Sequence, residues 1–148
     1  MTGSPEAKIL ELLPKILYVL PSYFLLGEKT SLGSELDIIL LRVLKRGGPC
    51  SVRELQRKLD WNKITYKRIS ARLKVLEAKG FIKDTPQGRT RIKKITPYGK
   101  KILDKIETKR KEYIRPILRL LASSQQQKLA DFMEKVLKVI AEESDKKP

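Results

Sequence analysis

Apolar side chains recur at spacings of three and four along most of the chain, the signature of amphipathic helices. Ile9, Leu10, Leu13, Leu17, Leu20 and Phe24 form one such face and predict a helix over 6–26. Pro14 and Pro21 are expected to bend or interrupt it. The stretch "GEKTSLG" reads as a linker. A second stripe, Leu36, Ile39, Leu40, Val43 and Leu44, follows Ser34 as N-cap and ends at Gly47–Gly48 as C-cap. In "CSVRELQRKLD", Ser51 stands three residues before Glu54, a capping box, and Val52, Leu55 and Leu59 face one way. After "WNKIT", Thr65 caps another helix that stops at Gly80, with a thin apolar stripe of Ile69, Leu73 and Leu76.

The texture then changes. "FIKD" and "RTRIKKI" read as two strands around a "TPQG" turn, with Pro86 at its second position and Gly88 at its fourth. Thr96 and Pro97 open a long helix over 97–121, kinked at Pro116. Leu129, Phe132, Met133, Val136, Leu137 and Ile140 mark a last helix. The expected class is mainly α with a small β-hairpin. A winged helix-turn-helix domain (34–96) is flanked by an N-terminal helix (1–30), by C-terminal helices (97–143) and by a frayed tail (144–148).

Charge adds a partner to this outline. The 148 residues carry a net charge of +16, and residues 61–101 hold thirteen Lys/Arg against two Asp/Glu. A local excess of this kind attracts polyanions through counterion release. A lysine-rich surface serving only solubility would intersperse the signs. A short helix, a turn, a second helix with a thin apolar stripe and then a basic ribbon make a winged helix-turn-helix. Its second helix is suited to a major groove and its ribbon tip to the backbone or a narrow minor groove.

Composition removes other chemistries. There is no histidine and one cysteine, so no Cys₄ or Cys₂His₂ zinc site and no Ser-His-Asp triad is available. No P-loop or Gly-rich fingerprint is present, so no catalytic residue, metal or cofactor is assigned. The apolar run over 9–26 contains Glu11, Lys15, Pro14 and Pro21 and lacks a cleavage signal, which argues against a leader or a membrane span. A single cysteine suits a reducing compartment, and the expected location is cytoplasmic.

The segments "GGPCSVRELQRKL", "LKVLEAKGFIK", "KKITPYGKKILDKI" and "SSQQQKLADFMEKVLKVI" resemble the MarR family of dimeric winged-helix transcription regulators over residues 35–143. The chain departs from the pattern in a longer turn around "DWNKI", a shorter wing, Gly88–Arg89 at the wing tip, and Arg72 where the family is apolar. The resemblance implies a homodimer whose first and last two helices interlock and which reads a pseudo-palindromic site. Apolar surface leads to the same place. The end helices carry more of it than one small domain can cover, unless they fold back on their own domain. Leu10, Leu13, Leu17, Leu20, Ile117, Leu121, Leu129, Phe132, Met133, Val136 and Ile140 are the candidate interface.

Thr65, Tyr66, Lys67, Arg68, Ser70, Ala71 and Lys74 are the candidate recognition-helix contacts. Lys67 or Arg68 would meet guanine and Ala71 a thymine methyl, with phosphate contacts as the plainer alternative. Arg89, Arg91 and Lys93 are the wing candidates, and Ser51 and Lys63 backbone partners. Cys50 reads as a structural rather than a redox cysteine, and Trp61 as a packing anchor. Tyr18, Tyr23, Phe24 and Tyr113 read as core aromatics in preference to the lining of an effector pocket, and a small-molecule effector stays open. Three functions fit: a sequence-specific regulator of double-stranded DNA, a non-specific architectural DNA-binding protein, or a winged-helix protein-interaction module.

Overall fold

The computed structural model describes residues 3–24, 32, 34–59, 61 and 63–144, without the side chains of 21–24 and 144. The "GEKTSLG" linker (but for Leu32), Asp60 and Asn62 of the turn, residues 145–148 of the tail, and the Tyr23 and Phe24 side chains lie outside the described residues. Six helices and a two-stranded ribbon follow in the order α1 (Pro5–Phe24), α2 (Glu35–Gly47), α3 (Val52–Lys58), α4 (Tyr66–Ala78), β1 (Ile82–Gln87), β2 (Thr90–Ile95), α5 (Pro97–Leu118) and α6 (Ser123–Ser144).

The caps form where the side chains dictate. Ser34, Ser51, Thr65 and Thr96 each accept a hydrogen bond from the backbone N–H three residues on, satisfying groups that a helix start leaves orphaned. Ser51 and Glu54 complete the reciprocal box, with Ser51 N–H donating to the Glu54 carboxylate at 3.1 Å. Neither proline interrupts α1, and α5 ends early. α1 runs through Pro14 and Pro21 as one helix. Each proline forfeits an i to i−4 bond, but at Pro14 the helix surface is exposed, so the freed carbonyl can stay in water. α5 continues past Pro116 only to Leu118, short of 121.

The ribbon also differs from the sequence reading. The antiparallel register pairs Ile82 with Ile95, Pro86 with Arg91 and Gln87 with Thr90. The turn is therefore Gly88–Arg89, not "TPQG", and Pro86 belongs to β1. Gly88 has φ +63, the left-handed conformation that a tight two-residue hairpin turn requires. A two-stranded ribbon has only edges, so the missing N–H of Pro86 is tolerated. Cys50 bridges to Lys93 through hydrogen bonds of 3.1 and 2.8 Å, adding a one-residue third strand.

The core lies inside residues 32–106. Leu40, Leu41 and Leu44 of α2 meet Leu55 and Leu59, the Ile69, Leu73 and Leu76 stripe, Phe81, and Leu103 of α5, all almost fully buried. Each such side chain contributes roughly 1.5–3 kcal/mol by leaving water. Trp61 packs on this core, as read. Gly99, in the first turn of α5, is buried against the wing base. A Cβ there would stand 2.1 Å from the Phe81 carbonyl oxygen. Thr96 ties the same corner by donating to the Gly80 carbonyl at 2.7 Å.

The end helices do not fold back to cover themselves. Leu10 is 62 % exposed and Phe132 61 %, and Leu13, Leu17, Leu20, Ile117, Leu129, Met133, Val136 and Ile140 are exposed too; Leu121 is half-buried. Tyr18, read as a core aromatic, is 86 % exposed in the single chain. No described helix is long and apolar enough to cross a membrane.

Candidate nucleic-acid interface

The thin stripe of α4 decides which of its residues face outward. Ile69, Leu73 and Leu76 are fully buried against the core. At 100° per residue this leaves Lys67, Ala71 and Lys74 on the opposite side, and all three are exposed. Thr65, Tyr66 and Arg68 are exposed around the first turn, and Ser70 is half-buried. The turn before α4 is held by Gln56, whose side-chain amide donates to the Ile64 carbonyl at 3.3 Å. No acidic residue lies in the first turn of α4, so the positive end of its dipole is uncompensated.

α3 is the opposite case. The Glu54 carboxylate occupies its N-terminus, and the hydrogen bonds from Ser51 hold Glu54 below the usual carboxylate range. The Ser51 N–H is therefore already engaged and an anion sits beside it, which makes Ser51 the weakest of the expected phosphate partners. Lys63 is exposed in the turn. Arg53 of α3 places its guanidinium 5.4 Å from the Tyr66 ring centre, a cation–π distance. Only the folded turn brings this exposed pair together, and the sequence reading missed it.

The wing divides its cations between two faces. Strand alternation turns Asp84, Arg91 and Lys93 one way and Lys83 and Lys94 the other. Lys93 is 9 % exposed. Its ammonium lies 3.0 Å from Asp84 and 3.9 Å from Glu77 of α4. Arg91 is exposed and donates to the same carboxylate. Burial pushes the Asp84 carboxyl up, but the hydrogen bonds and charges of Arg91 and Lys93 outweigh it and hold the group below the usual range. The structure thus places Lys93 inside the wing base, fastening the ribbon to α4, and only Arg89 and Arg91 of the three wing candidates on its surface.

Lys83 and Lys94 stand directly opposite each other across the ribbon, both exposed. Facing like charges destabilise a strand pair, and a polyanion would relieve them. Sequence reading placed no role on Lys83, because only the register reveals its partner. Cys50 is buried, and burial pushes its thiol up, away from the thiolate that redox sensing needs.

No family model matches the sequence, and no curated protein does. Solved structures do match in shape. YusO from Bacillus subtilis superposes with a TM-score of 0.68 at 18 % identity, over 90 % of this chain and 97 % of that one. The PcaV transcriptional regulator from Streptomyces coelicolor, in complex with its natural ligand, gives 0.67 at 14 % identity over 92 % and 94 %. Wild-type MarR from E. coli gives 0.62 at 17 % identity over 90 % and 97 %. With its cationic second helix, its ribbon and its open end helices, this chain has the winged-helix fold of the MarR-type transcription regulators.

Proposed function

We propose that the chain is a sequence-specific transcription regulator that binds double-stranded DNA as a homodimer. The observation that carries the reading is the outward face of α4. Its apolar side is wholly used by the core, and what remains is Lys67, Arg68, Ala71 and Lys74 beside a ribbon with Arg89 at its tip. Thr65, Tyr66, Lys67, Arg68, Ser70, Ala71 and Lys74 enter the major groove. Arg89 and Arg91, with Lys83 and Lys94, follow the backbone or the adjacent minor groove. Lys63 stands by the phosphates, and Ser51, its N–H already given to Glu54, is the weaker partner there. Residues 34–96 form the reading head. Residues 1–30 and 97–143 pair two copies, because their leucine-rich faces stay open in one chain. This is a binding protein rather than an enzyme, and we place it in the cytoplasm. The transcriptional regulators among its structural neighbours support the reading.

The test is selection of duplexes from a random library in the presence of competitor DNA, with light scattering of the free protein. The expected result is a dimer and an enriched sequence bound roughly 10³-fold more tightly than random DNA. About eight phosphate contacts give a log–log salt slope near −7. Equal affinity for every duplex would mean an architectural protein. A monomer with no DNA affinity would point to a protein-interaction module.

A further inference from the structure

Arg72 stands on the recognition helix one residue before Leu73, at the rim of the apolar stripe. Asp37 lies in the first turn of α2, with 0 % of its surface exposed. The two form a bidentate pair: Arg72 Nε donates to Asp37 Oδ1 at 2.8 Å and Nη2 to Oδ2 at 2.7 Å. The other α4 side chains in the core are Ile69, Leu73 and Leu76, whose contacts are non-directional and tolerate a small turn of the helix. A planar fork with two aligned hydrogen bonds tolerates little. With a side-chain radius of about 5–6 Å, a rotation of roughly 10° moves the outward residues by about 1 Å. Direct base contacts need placement to within about 0.5 Å. The pair also keeps one cation of the basic segment away from the duplex, since its charge is already matched.

An ion pair whose carboxylate is sealed in the core is a poor choice where stability alone matters, because apolar residues of similar volume often serve as well or better. We propose that Asp37 and Arg72 are a positioning pair that fixes the rotation of the recognition helix and so sets the base preference of the protein. The proposal rests on the DNA-reading function above. It assigns to Arg72 a role in specificity without contact to DNA.

The experiment uses the full chain, the duplex that the wild-type protein enriches, and a random duplex of equal length. Two variants are compared below their melting temperatures. Asp37→Leu/Arg72→Met restores an apolar contact, and Arg72→Lys keeps the charge but loses the fork. Both are expected to retain random-duplex affinity and salt slope, while the preference for the enriched duplex falls about tenfold or more. A purely structural pair would lower the melting temperature of Arg72→Lys and leave the preference of both variants at the wild-type value; that outcome overturns the proposal. If the double variant does not fold, Arg72→Lys decides alone. If the wild-type protein enriches no duplex, the DNA-reading function itself fails, a result distinct from variants that discriminate as well as wild type.

Discussion

Arg72 of α4 closes two hydrogen bonds on Asp37 of α2, 35 residues earlier in the chain. The carboxylate is sealed from water, whereas the Arg72 side chain is 29 % exposed. Losing either partner is therefore unequal. Arg72→Ala takes the bidentate partner from a buried carboxylate and is expected to cost about 3–5 kcal/mol. Asp37→Ala leaves a guanidinium that can turn to solvent and should cost less, about 1–2 kcal/mol. Urea denaturation at one fixed protein concentration checks the order, since self-association makes apparent stability depend on concentration.

Asp84 gives the wing a dependence on acid. Its carboxyl is held below its ordinary value in the folded chain. The stabilisation is thus fully present above the unfolded value, near 4, and is lost as pH falls through the folded one. Asp84→Asn is expected to cost about 1–3 kcal/mol at pH 7. The difference from wild type should shrink below about pH 4. Denaturation curves at pH 7 and pH 3 measure it, and an unchanged difference would contradict the assignment.

The wing cations separate by which face they occupy. Arg89→Ala should leave melting unchanged, and the double change Lys83→Ala/Lys94→Ala should raise it slightly by removing the facing like charges. Each phosphate contact removed should make the log–log salt slope less steep by roughly 1. Lys93→Ala should do the reverse, because its ammonium is buried between Asp84 and Glu77. A lower melting temperature is expected there before any change in salt slope. Binding titrations over a series of salt concentrations distinguish the two groups.

The open apolar faces predict the oligomeric state. Phe132→Glu places a charge in the middle of the α6 face, where Phe132 and Met133 are both exposed in the single chain. Sedimentation should then show dimer affinity weakened by about 30-fold or more, the cost of removing a central aromatic anchor. The winged-helix region, whose core does not include α6, should keep its helical signal.

Gly99 tests the corner between wing and α5. Gly99→Ala brings a methyl group to 2.1 Å from the Phe81 carbonyl oxygen, a backbone atom. An overpacking cost of at least about 1–3 kcal/mol is expected, read as a lower melting temperature. A variant as stable as wild type would show that the corner opens freely.

Much of this was legible in the order of residues. Caps, stripes and the capping box arise between positions three or four apart, and so does the outward face of α4. A helix forms or fails on such local relations, so Ser51, Glu54, Thr65 and the Ile69–Leu73–Leu76 stripe could be read directly. The basic excess of residues 61–101 was also a sum that needs no fold. What the linear chain could not decide were relations made by register and close approach. Lys93 looked like a surface cation until strand pairing turned it toward Asp84, and Lys83 gained a facing charge by the same rule. Pro86 entered a strand because the ribbon has only edges. Arg72 looked misplaced on an apolar rim until the packing of α2 brought a buried carboxylate to meet it. Burial and pairing depend on which distant segments touch, and that is settled only when the whole core closes.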